Sequence, residues 1–262
     1  MSSGARASQY LRALARRRSV REKERRYLID GPVLVADALR THLPLEAIYV
    51  EAGTNADLVD DATAAGVMVH VVPAGQMQRY TDVTTPQGVV AIAPTPSLTV
   101  QDVLDRADAA PVVVLCEVSD PGNAGTIVRM AEAAGVGAVL FCDGSVDPFA
   151  PKCVRASAGS IFHVPVVSGG KPVQVLEAIK GRDVQLLGTD ARRGKPYDEV
   201  ELSTPFALVL GNEAHGLPDE IANHLDAWVH VPMTGDVESL NVAMAASVIC
   251  FDAARQRRSA RP

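Results

Sequence analysis

Apolar runs alternate with helix-period segments along most of this chain, which predicts an α/β protein. The first part predicts a basic helix over Ala5–Arg26 with a break near Ser19, then a short strand Tyr27–Asp30. Gly31-Pro32 opens a helix through about Thr41, since proline suits a first helical turn. A strand near Leu45–Val50, a helix near Ala56–Ala65 and strands near Val67–Val72 and Gly88–Ala93 follow. Pro94-Thr-Pro-Ser97 interrupts regular structure and marks a linker. Beyond it, Val112–Val118 and Ala138–Cys142 are continuous apolar runs, as parallel strands covered on both faces require. Between them lies a helix over Asn123–Ala134, ended by Gly135. Further strands are expected near Val184–Thr189, Phe206–Leu210 and Trp228–Val231, and a last helix from about Ser239 to Gln256. The expected organisation is a domain over 1–95, a linker over 96–110 and a larger parallel-sheet domain over 111–262.

Charge adds a second pattern. Residues 1–26 hold nine basic side chains against two acids, so the segment carries +7 while the rest of the chain carries −13. An acidic body with a basic arm attracts polyanions locally. Arg16, Arg17, Arg18, Arg21 and Arg25 are the candidate phosphate contacts, because guanidinium groups match phosphate geometry. Taken alone, that cluster is equally a solvated helix face. The four cysteines show no metal-ligand or disulfide spacing and read as buried thiols, and no metal site is expected. No apolar run approaches the roughly 20 residues of a membrane span, which makes a cytoplasmic protein with no membrane partner the expectation.

Three short polar blocks close apolar runs, where ligands bind in open α/β sheets. The first is Asp120-Pro-Gly-Asn-Ala-Gly-Thr-Ile-Val-Arg129, with Asn123 as a suitable helix cap and Arg129 roughly 9 Å further along the helix. The second is Leu210-Gly-Asn-Glu-Ala-His-Gly-Leu217, a loop offering Glu213, with His215 lacking any spaced second metal ligand. In the third, Pro232–Ala243, Ser239 can cap the last helix, Asn241 adds a carboxamide, and Leu240 offers an apolar face to a purine.

In order and spacing these blocks resemble the three signature motifs of the SpoU/TrmH branch of the SPOUT RNA methyltransferases. They match as N-x-G-x-x-x-R at Asn123, Gly125 and Arg129, as G-x-E-x-x-G-L from Gly211 to Leu217, and as P-M-x-G-x-x-x-S-L-N-V-A from Pro232 to Ala243. The N-terminal part is similar to the family's ribosomal-protein-like RNA-recognition domain through Arg21–Gly31 and Thr85-Pro-Gln-Gly-Val89, although Asp30-Gly31 stands where the family commonly has Glu-Gly.

The resemblance implies a trefoil-knotted parallel-sheet domain that pairs as a homodimer. It implies methyl transfer from S-adenosylmethionine to a ribose 2′-hydroxyl of structured RNA, with large-subunit ribosomal RNA the preferred substrate. It also implies Arg129, Asn123, Glu213, Ser239 and Asn241 as the catalytic group, and Thr189, Gly211, Val231 and Leu240 as the cofactor pocket. The alternatives are a tRNA 2′-O-methyltransferase and a non-catalytic RNA-binding or ribosome-assembly factor on the same fold. A nicotinamide-dependent oxidoreductase is excluded, because neither half has a G-x-G-x-x-G turn after its first strand.

Overall fold

The computed structural model describes residues 3–106 and 110–260, and residues 107–109 of the expected linker lie outside them. The chain forms two compact units. One contains the chain up to Pro96 together with Phe149–Phe162; the other contains Ser97–Pro148 and the chain from His163 onward.

The first unit begins with helices α1 (Ser3–Arg16) and α2 (Arg18–Glu24). The break falls at Arg17, whose extended backbone ends one helix and starts the next, two residues before the expected Ser19. Strand β1 (Arg26–Asp30), helix α3 (Pro32–Arg40), strand β2 (Ala47–Glu51), helix α4 (Ala56–Ala64), and strands β3 (Met68–Val72) and β4 (Val89–Pro94) follow. The sheet order is β1-β4-β2-β3, parallel only between β2 and β3. Leu11 and Leu14 of α1 are buried with Met77, Val90 and Ile92.

In the second unit α5 (Val100–Arg106) packs Val103 into the core, flanked by Leu98, Val100 and Leu104. The expected linker over 96–110 is therefore corrected. Thr99 and Asp102 cap this helix reciprocally, a signal hidden behind the two prolines before it. Strand β5 (Val112–Leu115), helix α6 (Pro121–Ala134) and strand β6 (Ala138–Phe141) come next. Then α7 (Pro151–Ala156) joins the first unit, where the ring of Phe149 lies 4.9 Å from that of Tyr27 and Arg155 pairs with Asp82 at 3.6 Å. The expected single stretch 111–262 is thus interrupted by 149–162, since these side chains find their apolar and charged partners in the first unit.

The second unit then continues with β7 (Val166–Ser168), α8 (Pro172–Lys180), β8 (Gln185–Thr189), β9 (Lys195–Pro196), β10 (Phe206–Leu210), α9 (Asp219–Ala222), β11 (Ala227–His230) and α10 (Val242–Ser259). Its seven strands are all parallel, in the order β7-β6-β5-β10-β8-β11-β9. Val114, Leu140, Leu186 and Val209 meet Leu176 and Ile179 of α8 on one face, while α6 and α10 pack together. Both faces are covered, which is why β5, β6 and β10 are apolar at every position. Because the sheet is parallel, the loops after β5, β8, β10 and β11 emerge at one edge. All four cysteines are buried and outside any disulfide, and a hydrogen bond with Cys142, together with burial, raises the Cys116 pKa. No helix among the described residues is long and apolar enough to cross a membrane.

Candidate active site

The loop after β5 is turned by Glu117, which holds a positive φ of 63° although it is not glycine. Strain of this kind persists where the surroundings enforce it. Here Asn212 Nδ2 donates to the Glu117 carbonyl at 3.0 Å, tying the β5 loop to the β10 loop. Asp120, rather than the expected Asn123, caps α6, its carboxylate accepting from the Asn123 amide at 2.8 Å. Pro121 occupies the first turn and pushes Asn123 three residues inside, where its carboxamide is released from capping.

That release lets Asn123 join the three blocks. Its Nδ2 donates to Glu213 Oε1 at 3.0 Å, and its Oδ1 accepts from Asn241 Nδ2 at 2.8 Å. Asn241, rather than the expected Ser239, is the cap of α10, with Oδ1 accepting from Ala243 and Met244. The cap uses the oxygen of Asn241 and so presents its nitrogen to Asn123. Glu213 also accepts from the Ser119 amide and hydroxyl and from the Asp120 amide, all between 3.0 and 3.1 Å. Partial burial works against its charge, but the bonds from Asn123, Ser119 and Asp120 outweigh this and lower its pKa to about 2. Ser119 and Asp120 are the members of this cluster that sequence reasoning missed. The signal was present in Asp120-Pro121, an N-cap followed by a first-turn proline.

Beside the network lies a cavity of about 330 Å³, within the range of small-molecule sites. Thr189, Gly211, Val231, Ser239 and Leu240 line it, together with Glu213. Gly211 is buried, and a Cβ there would stand 2.6 Å from the Leu217 amide nitrogen and nearer still to the Gly216 carbonyl. The backbone of the β10 loop therefore closes tightly on itself, helped by the positive φ of Gly216. His215 sits in the same lining with Nδ1 3.2 Å from Asn212 Oδ1. The sequence also missed His230, which lines the cavity and whose Nδ1 is buried without a hydrogen-bond partner among the described residues.

Arg129 stands apart from these groups. It is exposed on α6, and no hydrogen bond or ion pair ties it to the network among the described residues. In the first unit Arg16, Arg17, Arg18 and Arg25 are exposed, and Arg18 pairs with Glu22 at 2.8 Å. Arg21 is the correction. It is only 6% exposed, and its Nη1 donates to the carbonyls of Leu14 and Ala15 at 2.6 and 3.2 Å. Those carbonyls lie at the end of α1, so Arg21 caps a helix and is not available to a phosphate.

Residues 110–251 match the model of the SpoU rRNA Methylase family, more than half of the chain. This chain belongs to the SpoU rRNA methylase family. Residues 8–91 match the MRM3-like substrate binding domain. The chain is 35% identical over 231 residues to the 23S rRNA (guanosine(2553)-2′-O)-methyltransferase RlmP of Bacillus subtilis, covering 88% of this chain and 89% of that one. An AdoMet-bound rRNA methyltransferase from Sinorhizobium meliloti superposes with a TM-score of 0.84 at 28% identity, covering 100% of this chain and 98% of the other. The SpoU methyltransferase AviRb of Streptomyces viridochromogenes gives 0.85 at 27% identity, over 97% and 98% of the two chains. The α/β class with a parallel-sheet methyltransferase unit behind a smaller N-terminal domain agrees with these SpoU structures.

Within this SpoU member the cavity gives a direct prediction. Gly211→Ala forces the β10 loop open, because backbone rather than a mobile side chain blocks the added carbon. Cofactor affinity is expected to fall by at least about tenfold, with a stability loss of about 1–3 kcal/mol, checked by calorimetric titration and urea unfolding.

Proposed function

We propose that this chain transfers the methyl group of S-adenosylmethionine to a ribose 2′-hydroxyl of large-subunit ribosomal RNA. The observation that carries this reading is the hydrogen-bonded chain from Glu213 through Asn123 to Asn241, which joins three distant motifs beside a cavity at the strand ends. The activity of the SpoU family and the names of its 23S rRNA-modifying relatives supply the substrate class.

When bound, S-adenosylmethionine supplies an already activated methyl group on a sulfonium. The protein's tasks are to position the hydroxyl and to manage its charge. Thr189, Gly211 and Val231 offer backbone groups at the ends of β8, β10 and β11, and Leu240 offers an apolar face for the adenosine. The fit is supported by the size of the cavity and by its mixed lining, apolar at Val231 and Leu240 and hydroxyl-bearing at Thr189 and Ser239. Asn123, Glu213 and Asn241 hold the loops in register, and Ser239 presents a hydroxyl to the cavity.

A guanidinium does not give up its proton at any working pH, so Arg129 acts as a donor rather than a base. Its unpaired guanidinium stabilises charge developing on the 2′-oxygen and grips the adjacent phosphate. The domains divide this work, with the N-terminal unit recognising RNA and the C-terminal unit performing the transfer. A homodimer of the C-terminal unit is supported by Met244 and Phe251, exposed seven residues apart on α10. The knotted path rests on the chain's membership of the SpoU family. Ribosomal RNA as substrate makes the cytoplasm the site of action.

Two measurements test the proposal together. Calorimetric titration should show micromolar S-adenosylmethionine binding. Mapping of 2′-O-methylation in total RNA should show one large-subunit position lost when the protein is absent. Unchanged methylation of ribosomal RNA, with or without the protein, would defeat the reading.

A further inference from the structure

A second cavity, of about 470 Å³, lies in the first unit against α1. Arg12, Arg16 and Arg17 of the α1 region and Arg79 of a distant 3-10 turn line it, and the rest of the lining is neutral. Arg12 and Arg16 stand four residues apart, about 6 Å along one helix face. Ala13 between them leaves the floor open. Arg79 is brought opposite by Met77, which is buried with Leu11 and Leu14 of α1, and Gln76 Oε1 accepts from its Nη1 at 3.3 Å.

Charge pairing separates these arginines from their neighbours. Arg18, Arg26, Arg40 and Arg155 of the same unit pair with Glu22, Glu46, Asp37 and Asp82. The guanidinium groups of Arg12, Arg16 and Arg17 have no acid or hydrogen-bond partner among the described residues, and the lining of the groove contains no acid. Like charges at four-residue spacing destabilise a helix, and no acid among the described residues pairs with Arg12 or Arg16 to offset that cost. A chain with a net charge of −6 has acids to spare for pairing, yet none stands here.

We infer that this groove is a binding site for the sugar-phosphate backbone of RNA, formed by Arg12, Arg16, Arg17 and Arg79. The inference rests on the RNA-methyltransferase reading and narrows it. It moves recognition from the linear basic segment to a folded groove, adding Arg12 and Arg79 and leaving out Arg18, Arg25 and the buried Arg21. Guanidinium forks suit phosphate oxygens, whereas no aromatic side chain lines the groove to stack an unpaired base. Contacts of this kind position an RNA without reading its sequence.

The test uses the full chain and labelled 23S ribosomal RNA transcripts of unrelated sequence, with binding measured from 50 to 300 mM salt. The double variant Arg12→Ala, Arg79→Ala should weaken binding about tenfold or more at intermediate salt, equally for every transcript. The slope of log affinity against log salt should fall by about 1 to 2. Its thermal unfolding and its S-adenosylmethionine affinity should match those of the parent. A folded double variant with unchanged affinity and slope overturns the groove. So does an equal loss from Lys23→Ala, a basic residue of the same arm outside the lining, since that indicates diffuse charge. Loss of binding to anionic-lipid vesicles but not to RNA likewise overturns it. A parent protein that neither binds nor methylates RNA overturns the underlying reading as well, and the parent arm reveals that failure separately.

Discussion

Arg129→Lys is expected to bind S-adenosylmethionine as the parent does and to lose turnover by about a hundredfold or more. The expectation follows from where Arg129 stands. It projects from α6 with its donors uncommitted, and it takes no part in holding the cavity, whose walls come from the loops after β8, β10 and β11 and from α10. Lysine keeps the charge and the reach but replaces a planar fork with a point charge, so paired contacts to a phosphate and a neighbouring oxygen are lost. Single-turnover methylation isolates the chemical step from RNA binding and product release. The loss should fall mainly on the rate at saturating RNA. Turnover within about threefold of the parent, with RNA affinity intact, removes Arg129 from the reaction.

The position of Arg129 also marks how far sequence carries the argument. The parallel sheet was legible because β5, β6 and β10 are apolar at consecutive positions, which neither a half-exposed strand nor an amphipathic helix would be. The meeting of Asn123, Glu213 and Asn241 was legible because the three polar blocks each follow a strand, the buried β5 and β10 and the partly buried β11. Which residue caps which helix was not. Asp120 and Asn123, and again Ser239 and Asn241, are equally good caps by type, and only the path of the loop chooses between them. The helix α5 was hidden because prolines on its N-terminal side mimic a linker, although the Thr99 and Asp102 pair was there to be read. Arg21 misled for a different reason. A basic residue among basic residues looks solvated, and its use as a cap for the carbonyls of α1 depends on α2 folding back beside them. The proposed arginine groove draws in Arg79, more than sixty residues beyond its partners, so the linear charge pattern reaches Arg16 and Arg17 but not the side chain opposite them.

Removing the carboxylate of Glu213 should damage both stability and activity, with the two losses separable by pH. In Glu213→Ala the Ser119 amide and hydroxyl, the Asp120 amide and Asn123 Nδ2 all lose their acceptor. Partial exposure lets water replace some of these bonds, which brings the expected stability loss to about 1–2 kcal/mol. Activity should fall further, by about a hundredfold, because Asn123 then no longer holds Asn241 in place and small misplacements are costly in a positioning site. Glu213→Gln should resemble the alanine variant. Both oxygens of Glu213 accept, and a carboxamide must turn its NH₂ toward two of the same donors. The pKa of Glu213 is lowered to about 2 in the folded protein, below the ordinary glutamate value. Its stabilising effect is therefore complete above the unfolded-state pKa and is lost as pH falls toward 2. Urea unfolding of parent and Glu213→Gln should show a constant stability gap from about pH 5 to 8 that closes progressively below about pH 4.5. A gap that is absent at pH 7, or that persists unchanged in acid where the protein still folds, would show that the carboxylate charge does not hold these loops together.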